Sequence, residues 1–218
     1  MIGPAAIIFD FDGVIADSEV IANATLAECL TAIGLPTTYA DCLQDYCGHN
    51  WRETERRIVA RLGCALPADF RDMQRRRARE AFERDLTAVP GVAAFLDRTR
   101  HLPRAIASSS STEWLALALT RLGLADHFGD QLYSAAELAR GKPFPDIYLT
   151  AAKGLNVRPG QCLAIEDSPV GARAAVAAGM SVVGLVAGGH IADCDAHAAQ
   201  LLAVGVGRVV CSFADIPV

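Results

Sequence analysis

Five short apolar runs, at 5–9, 104–107, 162–165, 181–187 and 208–212, punctuate this chain. Each is about as long as a strand buried on both faces. Helical periodicity fills most of the intervals, at 90–100, 111–122, 145–155 and 169–178. Strands alternating with helices predict βαβ units and an α/β fold built on a doubly wound parallel sheet. Such sheets bind ligands beyond the carboxyl ends of their strands, so the residues that end each run are the first to inspect.

The alternation fails between residues 17 and 87, which contain no convincing strand. Three helical patterns stand there instead: 18–34, stopped by Gly34 and Pro36; 51–63, stopped by Gly63; and 67–86, with Pro67 near its start. Alternation resumes at Pro90-Gly91. The expected organisation is an α/β domain made of residues 1–16 and 88–218, interrupted by an all-helical domain at 17–87. The length of 218 residues suits one large domain with an insert, at roughly 150 residues per domain.

Composition excludes several classes of partner. With 25 acidic and 20 basic side chains the net charge is −5, which opposes an electrostatic grip on nucleic acid or anionic lipid. Arg75, Arg76, Arg77 and Arg79 look basic, but Glu80, Glu83 and Asp85 follow on the same helix, so a solvated, salt-bridged face is expected. Aromatic interleaving of the kind single-stranded RNA needs is missing. No apolar run approaches the roughly 18 residues that span a bilayer. The first residues read as a strand and lack the basic start of a signal peptide. Seven scattered cysteines without a CxxC pair predict reduced thiols and a cytoplasmic location. His190, Asp193, Cys194 and His197 include metal-binding types, but their segment reads as a surface loop and a helix start. Trp114 reads as packing.

Four strand ends carry chemistry. In Phe9-Asp10-Phe11-Asp12-Gly13 two carboxylates stand two apart, sharing a face while the strand continues, before a glycine turn. Two close anions repel, and burial raises the cost. Ser108-Ser109-Ser110-Ser111 follow the second run, where hydroxyls and backbone N–H groups can hold phosphate oxygens. Ser110 with Glu113 also fits a helix capping box, leaving Ser108 for a ligand. Lys142 lies between Gly141 and Pro143, in a loop stiffened by Pro143 and Pro145, where a fixed ammonium can face a carboxylate and a phosphoryl group together. After the fourth segment's strand come Glu166, Asp167 and Ser168. Ser168 can cap the next helix with Pro169 at its first position, which leaves the two acids without a structural duty. Oxygen-only ligands of this kind suit Mg²⁺.

Jointly, the segments DFDGV, ASSSS, GKPFPD and IEDSPVG resemble the haloacid dehalogenase-like superfamily, in the branch of β-phosphoglucomutase and small phosphosugar phosphatases. The resemblance covers nearly the whole chain. It implies a Rossmann-like core with an inserted helical cap, and it assigns roles by motif position. Asp10 is implied as nucleophile and Asp12 as acid and base. Ser108, with Ser109, and Lys142 are implied to hold the phosphoryl oxygens. Mg²⁺ is implied on Asp10, the Asp12 carbonyl and Asp167, with Glu166 in direct or water-bridged contact. The intact Asp-x-Asp favours phosphoryl transfer over dehalogenation.

The function expected is a Mg²⁺-dependent phosphatase acting on a small phosphorylated metabolite, a sugar or sugar-acid phosphate, as a monomer or homodimer. A phosphosugar mutase is the alternative. The family's mutases carry a cap histidine where Ala22 stands, and a cap-loop arginine where Trp51 stands, with Arg52 one residue late. Both departures favour hydrolysis. His49, Asn50 and Arg52 are the expected substrate contacts, unless they cap the helix beginning near Trp51. A phospho-accepting receiver domain, or a binding protein with an idle site, are the non-enzymatic readings. Receivers lack a helical insert after the first strand.

Overall fold

The computed structural model describes residues 3–47 and 51–218. They fall into two compact units, Met1–Asp17 with Thr87–Val218, and Ser18–Leu86.

The larger unit is a six-stranded parallel sheet: β1 (Ala6–Phe9), β2 (Arg104–Ser108), β3 (Leu132–Ser134), β4 (Cys162–Glu166), β5 (Ser181–Leu185) and β6 (Arg208–Val210), in the spatial order β3-β2-β1-β4-β5-β6. β1, β2 and β4 are buried at every residue, which fits their mainly apolar character; the polar exceptions, Arg104, Ser108 and Glu166, lie at strand ends. The helices α5 (Val92–Arg98), α6 (Thr112–Leu122), α7 (Asp146–Gly154), α8 (Pro169–Ala177) and α9 (Cys194–Ala203) connect them. Phe9 meets Phe95 and Phe128 edge-on at centroid distances of 6.0 and 5.7 Å. On the other face Ile8, Ala107 and Ala164 pack with Ile147, Tyr148 and Ala172 of α7 and α8. Burying one Phe or Ile side chain contributes about 1.5–3 kcal/mol, so this sheet is the anchor on which the loops are carried.

The strand order reverses at β1, whose neighbours are β2 and β4. Phe9 pairs with Ile106 on one side and Ile165 on the other. The next residue of β1's chain, Asp10, donates its N–H to Ile165 O at 2.9 Å. Asp10 and Glu166 therefore emerge side by side at the switch point, where this class of sheet binds ligands. Just beyond, Asp17 N bonds to Thr87 O, Val89 N bonds to Ile15 O, and Ala16 bridges Ala88 in antiparallel fashion.

Among its described residues the second unit holds four helices, α1 (Ser18–Ala32), α2 (Tyr39–Asp45), α3 (Trp51–Leu62) and α4 (Phe70–Asp85), around Leu26, Leu30, Ile58 and Phe70. Trp51 stacks on Phe70, and the Arg71 guanidinium covers Trp51 at 4.8 Å. Arg79 pairs with Glu83 on the exposed face of α4, as the charge pattern predicts.

Two elements correct the expectation from sequence. β3 adds a sixth strand, and α2 adds a fourth helix to the insert. α2 is held by a capping box: Thr38 N donates to Asp41 Oδ2 at 2.8 Å, and Asp41 N to Thr38 Oγ1 at 3.1 Å. Among the described residues no helix is long and apolar enough to cross a membrane. All seven cysteines are free thiols.

Candidate active site

β1, β2 and β4 each end in a short loop that delivers one part of the site. After β1 the chain turns at Gly13, with φ of 81°. A Cβ on Gly13 would stand 1.9 Å from Asp167 Oδ2, so only glycine allows the two loops this close.

Lys142 Nζ binds Asp10 Oδ1 at 2.7 Å and Glu166 Oε1 at 2.6 Å. All three side chains are nearly or wholly enclosed. Burial raises the Asp10 carboxyl well above the usual carboxylate range. The Glu166 charge adds to this, Lys142 opposes it, and Asp167 and Asp12 raise it further. Burial works against the Lys142 charge too, yet the Asp10 and Glu166 carboxylates outweigh it and hold the ammonium well above its ordinary value.

Glu166 accepts from four donors. Oε1 accepts from Lys142 Nζ and from Tyr148 OH at 2.8 Å; Oε2 accepts from Ser168 N at 3.0 Å and Ser168 Oγ at 3.1 Å. A carboxylate offers about four acceptor positions, and these donors take them. The carboxylate also lies against Gly171, where a Cβ would fall 1.6 Å from Oε1. Burial, with the Glu166 charge next, pushes the Tyr148 phenol up, so it stays a protonated donor.

Asp12 faces the serine loop. Ser110 Oγ donates to Asp12 Oδ2 at 3.1 Å, and Ser108 Oγ reaches the same oxygen at 3.4 Å. Ser108 Oγ also accepts from Ser110 N at 3.0 Å. The capping expectation shifts by one residue: Ser111, not Ser110, caps α6, accepting from Trp114 N. Ser168 caps α8 with Pro169 in the first turn, as expected, but Glu166 does have a structural duty.

Asp10, Glu166 and Asp167 each bring a carboxylate oxygen to within 4.8 Å of the others. Three buried carboxyl groups thus cluster beside one lysine. An all-oxygen donor set of this kind fits a hard divalent cation.

The structure thus brings Asp10, Lys142, Glu166 and Asp167 together, and Ser108 with Asp12. Ser109 is exposed at the end of β2, and Arg52 is exposed in the first turn of α3. His49 and Asn50 lie outside the described residues. Sequence reasoning missed Tyr148, Ser110 and His190. His190 is buried, not on a surface loop: its Nε2 lies 3.2 Å from Asp167 Oδ2. The signals available were Tyr148, six residues after Lys142, and His190, following Gly188-Gly189 just beyond an apolar run.

Comparison with known proteins identifies the family. The family profile for haloacid dehalogenase-like hydrolase matches residues 4–179. Hexitol phosphatase B of Escherichia coli K12 is 33% identical over 179 residues, covering 80% of each chain. The β-phosphoglucomutase of Bacillus subtilis is 31% identical over 190 residues, covering 83% of this chain and 82% of its own. A haloacid dehalogenase family hydrolase of Deinococcus radiodurans, solved with bound phosphate and sodium, superposes with a TM-score of 0.84 at 33% identity, covering 97% of this chain and 92% of its own. Fold and site define a hydrolase built on a parallel sheet with a helical insert. The chain belongs to the haloacid dehalogenase-like hydrolases, and within that family it is an enzyme of the phosphatase group.

Proposed function

We propose that this enzyme hydrolyses the monoester of a small phosphorylated metabolite, a sugar or sugar-acid phosphate, through a phosphoryl group carried on Asp10, with Mg²⁺ as cofactor. The observation that carries the reading is the enclosed bridge from Asp10 through Lys142 to Glu166, with an Asp167 oxygen close by.

An Asp10 oxygen attacks phosphorus while the bond to the substrate oxygen breaks, giving an aspartyl phosphate and an alcohol. Asp12, steadied by Ser110, delivers the proton that the leaving oxygen needs. Water then attacks phosphorus, Asp12 takes its proton, and Asp10 is released with inorganic phosphate. Lys142 and the hydroxyl of Ser108 hold the transferring oxygens as negative charge spreads over them. Asp10 and Asp167, with the Asp12 carbonyl, would hold Mg²⁺, which would supply positive charge to offset repulsion between Asp10 and the incoming phosphate. Glu166, held by Tyr148 OH and by Ser168 N and Oγ, fixes Lys142.

The sheet unit is the catalytic core in this reading, and Ser18–Leu86 is the cap. Seven free thiols are consistent with a cytoplasmic setting. Ala22 in α1 offers no proton donor, which favours hydrolysis over mutase chemistry.

The test is a panel of phosphorylated sugars, sugar acids and polyols, scored for phosphate release with Mg²⁺ and with EDTA. Release from some members of the panel, abolished by EDTA, is expected. Isomerised β-glucose 1-phosphate without free phosphate, in the presence of a bisphosphate primer, would overturn the hydrolytic reading.

A further inference from the structure

We infer that His190 is a positioning residue of the acidic centre, holding the Asp167 carboxylate in the orientation that receives the divalent cation. The inference rests on the metal reading proposed above.

His190 sits in the turn after β5, well away in sequence from the four segments that carry the chemistry. Its Nε2 lies 3.2 Å from Asp167 Oδ2, with side-chain exposures of 7% and 6%. The imidazole lies in a slot between two glycines. A Cβ on Gly13 would approach its Cε1 to 2.9 Å, and a Cβ on Gly188 would come within 2.7 Å of its Cε1 and Nδ1. Both walls are therefore backbone, and the ring has little room to turn. The turn is itself tied to the loop after β1, because Gly189 N donates to Asp17 Oδ1 at 3.0 Å.

A second histidine grips the same aspartate from the main-chain side. His197 Nε2, on α9, lies 2.5 Å from Asp167 O. A carbonyl only accepts, so this nitrogen carries the proton. Asp167 is thus held at its backbone and at its carboxylate by two side chains from one segment.

An aspartate has two equivalent oxygens and a soft terminal torsion. An Nε2–H on His190, 3.2 Å from Oδ2, would set the rotation of the carboxylate before a cation arrives. The Glu166 oxygens are already filled, so the cation-holding capacity of the cluster falls chiefly on Asp10 and Asp167. Pre-orienting one of two principal ligands raises affinity by lowering the ordering cost of binding.

The experiment measures metal binding to the metal-stripped full chain, by Mn²⁺ electron paramagnetic resonance and by Mg²⁺ calorimetry. It compares wild type, His190→Leu and His190→Gln, and records each melting temperature. Leucine fills the slot without a donor, whereas a glutamine amide nitrogen can stand near the position of Nε2. His190→Leu is expected to weaken Mn²⁺ binding by about 10–100-fold, and His190→Gln to restore it to within about threefold of wild type. At saturating metal the His190→Leu kcat should change far less than the metal concentration for half activity.

A His190→Leu protein that binds Mn²⁺ as wild type does overturns the inference. So does equal weakening in both variants that tracks a shared fall in melting temperature, since that marks packing alone. Failure of the wild type to bind Mn²⁺ overturns the metal reading itself, and is distinguishable from the other two.

Discussion

Lys142 and Glu166 form an enclosed ion pair, Nζ to Oε1 at 2.6 Å, with side chains 7% and 0% exposed. The same Nζ reaches Asp10 at 2.7 Å, so one ammonium serves two carboxylates delivered by adjacent strands. Tyr148 and Ser168 hold the Glu166 end in place, which leaves the lysine aimed at the carboxylate of Asp10.

Removing that ammonium strands two buried anions. Lys142→Met is expected to destabilise the metal-free protein by about 3–5 kcal/mol, the cost of breaking a buried pair from one side. The double variant Lys142→Met with Glu166→Gln should lose less, because it removes an anion as well. Urea denaturation of both in EDTA decides this. A double variant no more stable than the single would contradict it.

Asp10→Asn should lower phosphate release by about 10⁴-fold or more, since the proposed nucleophile is gone. Its melting temperature in EDTA should not fall. Burial, then the Glu166 charge, already disfavours the ionised carboxyl at this position, and an amide carries no charge to bury. Appreciable turnover in this variant would remove the nucleophile assignment.

Gly171→Ala would normally stabilise a helix by about 1 kcal/mol. Here the new Cβ would stand 1.6 Å from Glu166 Oε1 and 2.2 Å from its Cδ. Overpacking of this kind costs about 1–3 kcal/mol, and moving Glu166 releases Lys142 as well. The expected outcome is a lower melting temperature together with reduced phosphate release. A stabilised, fully active variant would show that Glu166 can move freely.

Metal binding should release protons. The Asp10 carboxyl titrates above its usual range in the metal-free protein, so at lower pH it holds a proton that a cation must displace. Apparent Mg²⁺ affinity is therefore expected to rise with pH until the raised Asp10 value is passed, and then level off. Calorimetry in two buffers of different ionisation enthalpy checks it: identical heats would mean no proton leaves.

The parts of the fold and site that were legible in sequence are those where neighbours along the chain are also neighbours in function. Asp10 with Asp12, and Glu166 with Asp167, stand at the ends of short apolar runs, so those ends were readable as places for chemistry. β3 was not, because it has three residues and two of them, Leu132 and Tyr133, are only half-buried. α2 left a readable sign, Thr38 with Asp41, but its seven residues bury only Cys42 and show little periodicity. Four successive serines look alike in sequence. The point where β2 ends decides that Ser110 faces Asp12 and Ser111 caps α6. His190 was hidden for a different reason: a residue between Gly189 and Ile191 reads as surface, and only the crossing of the loops after β1 and β5 buries it.

The helical unit leaves and rejoins the sheet unit at a doorway that the sheet unit itself latches, through Asp17 N to Thr87 O and the bridge of Ala16 with Ala88. With that doorway pinned, the length of chain strung across it matters little, since doubling a loop costs only about 0.6 kcal/mol in closure entropy. The splice at residues 17 and 87 is thus a point at which inserted chain of another length could be tolerated at small cost to the sheet unit.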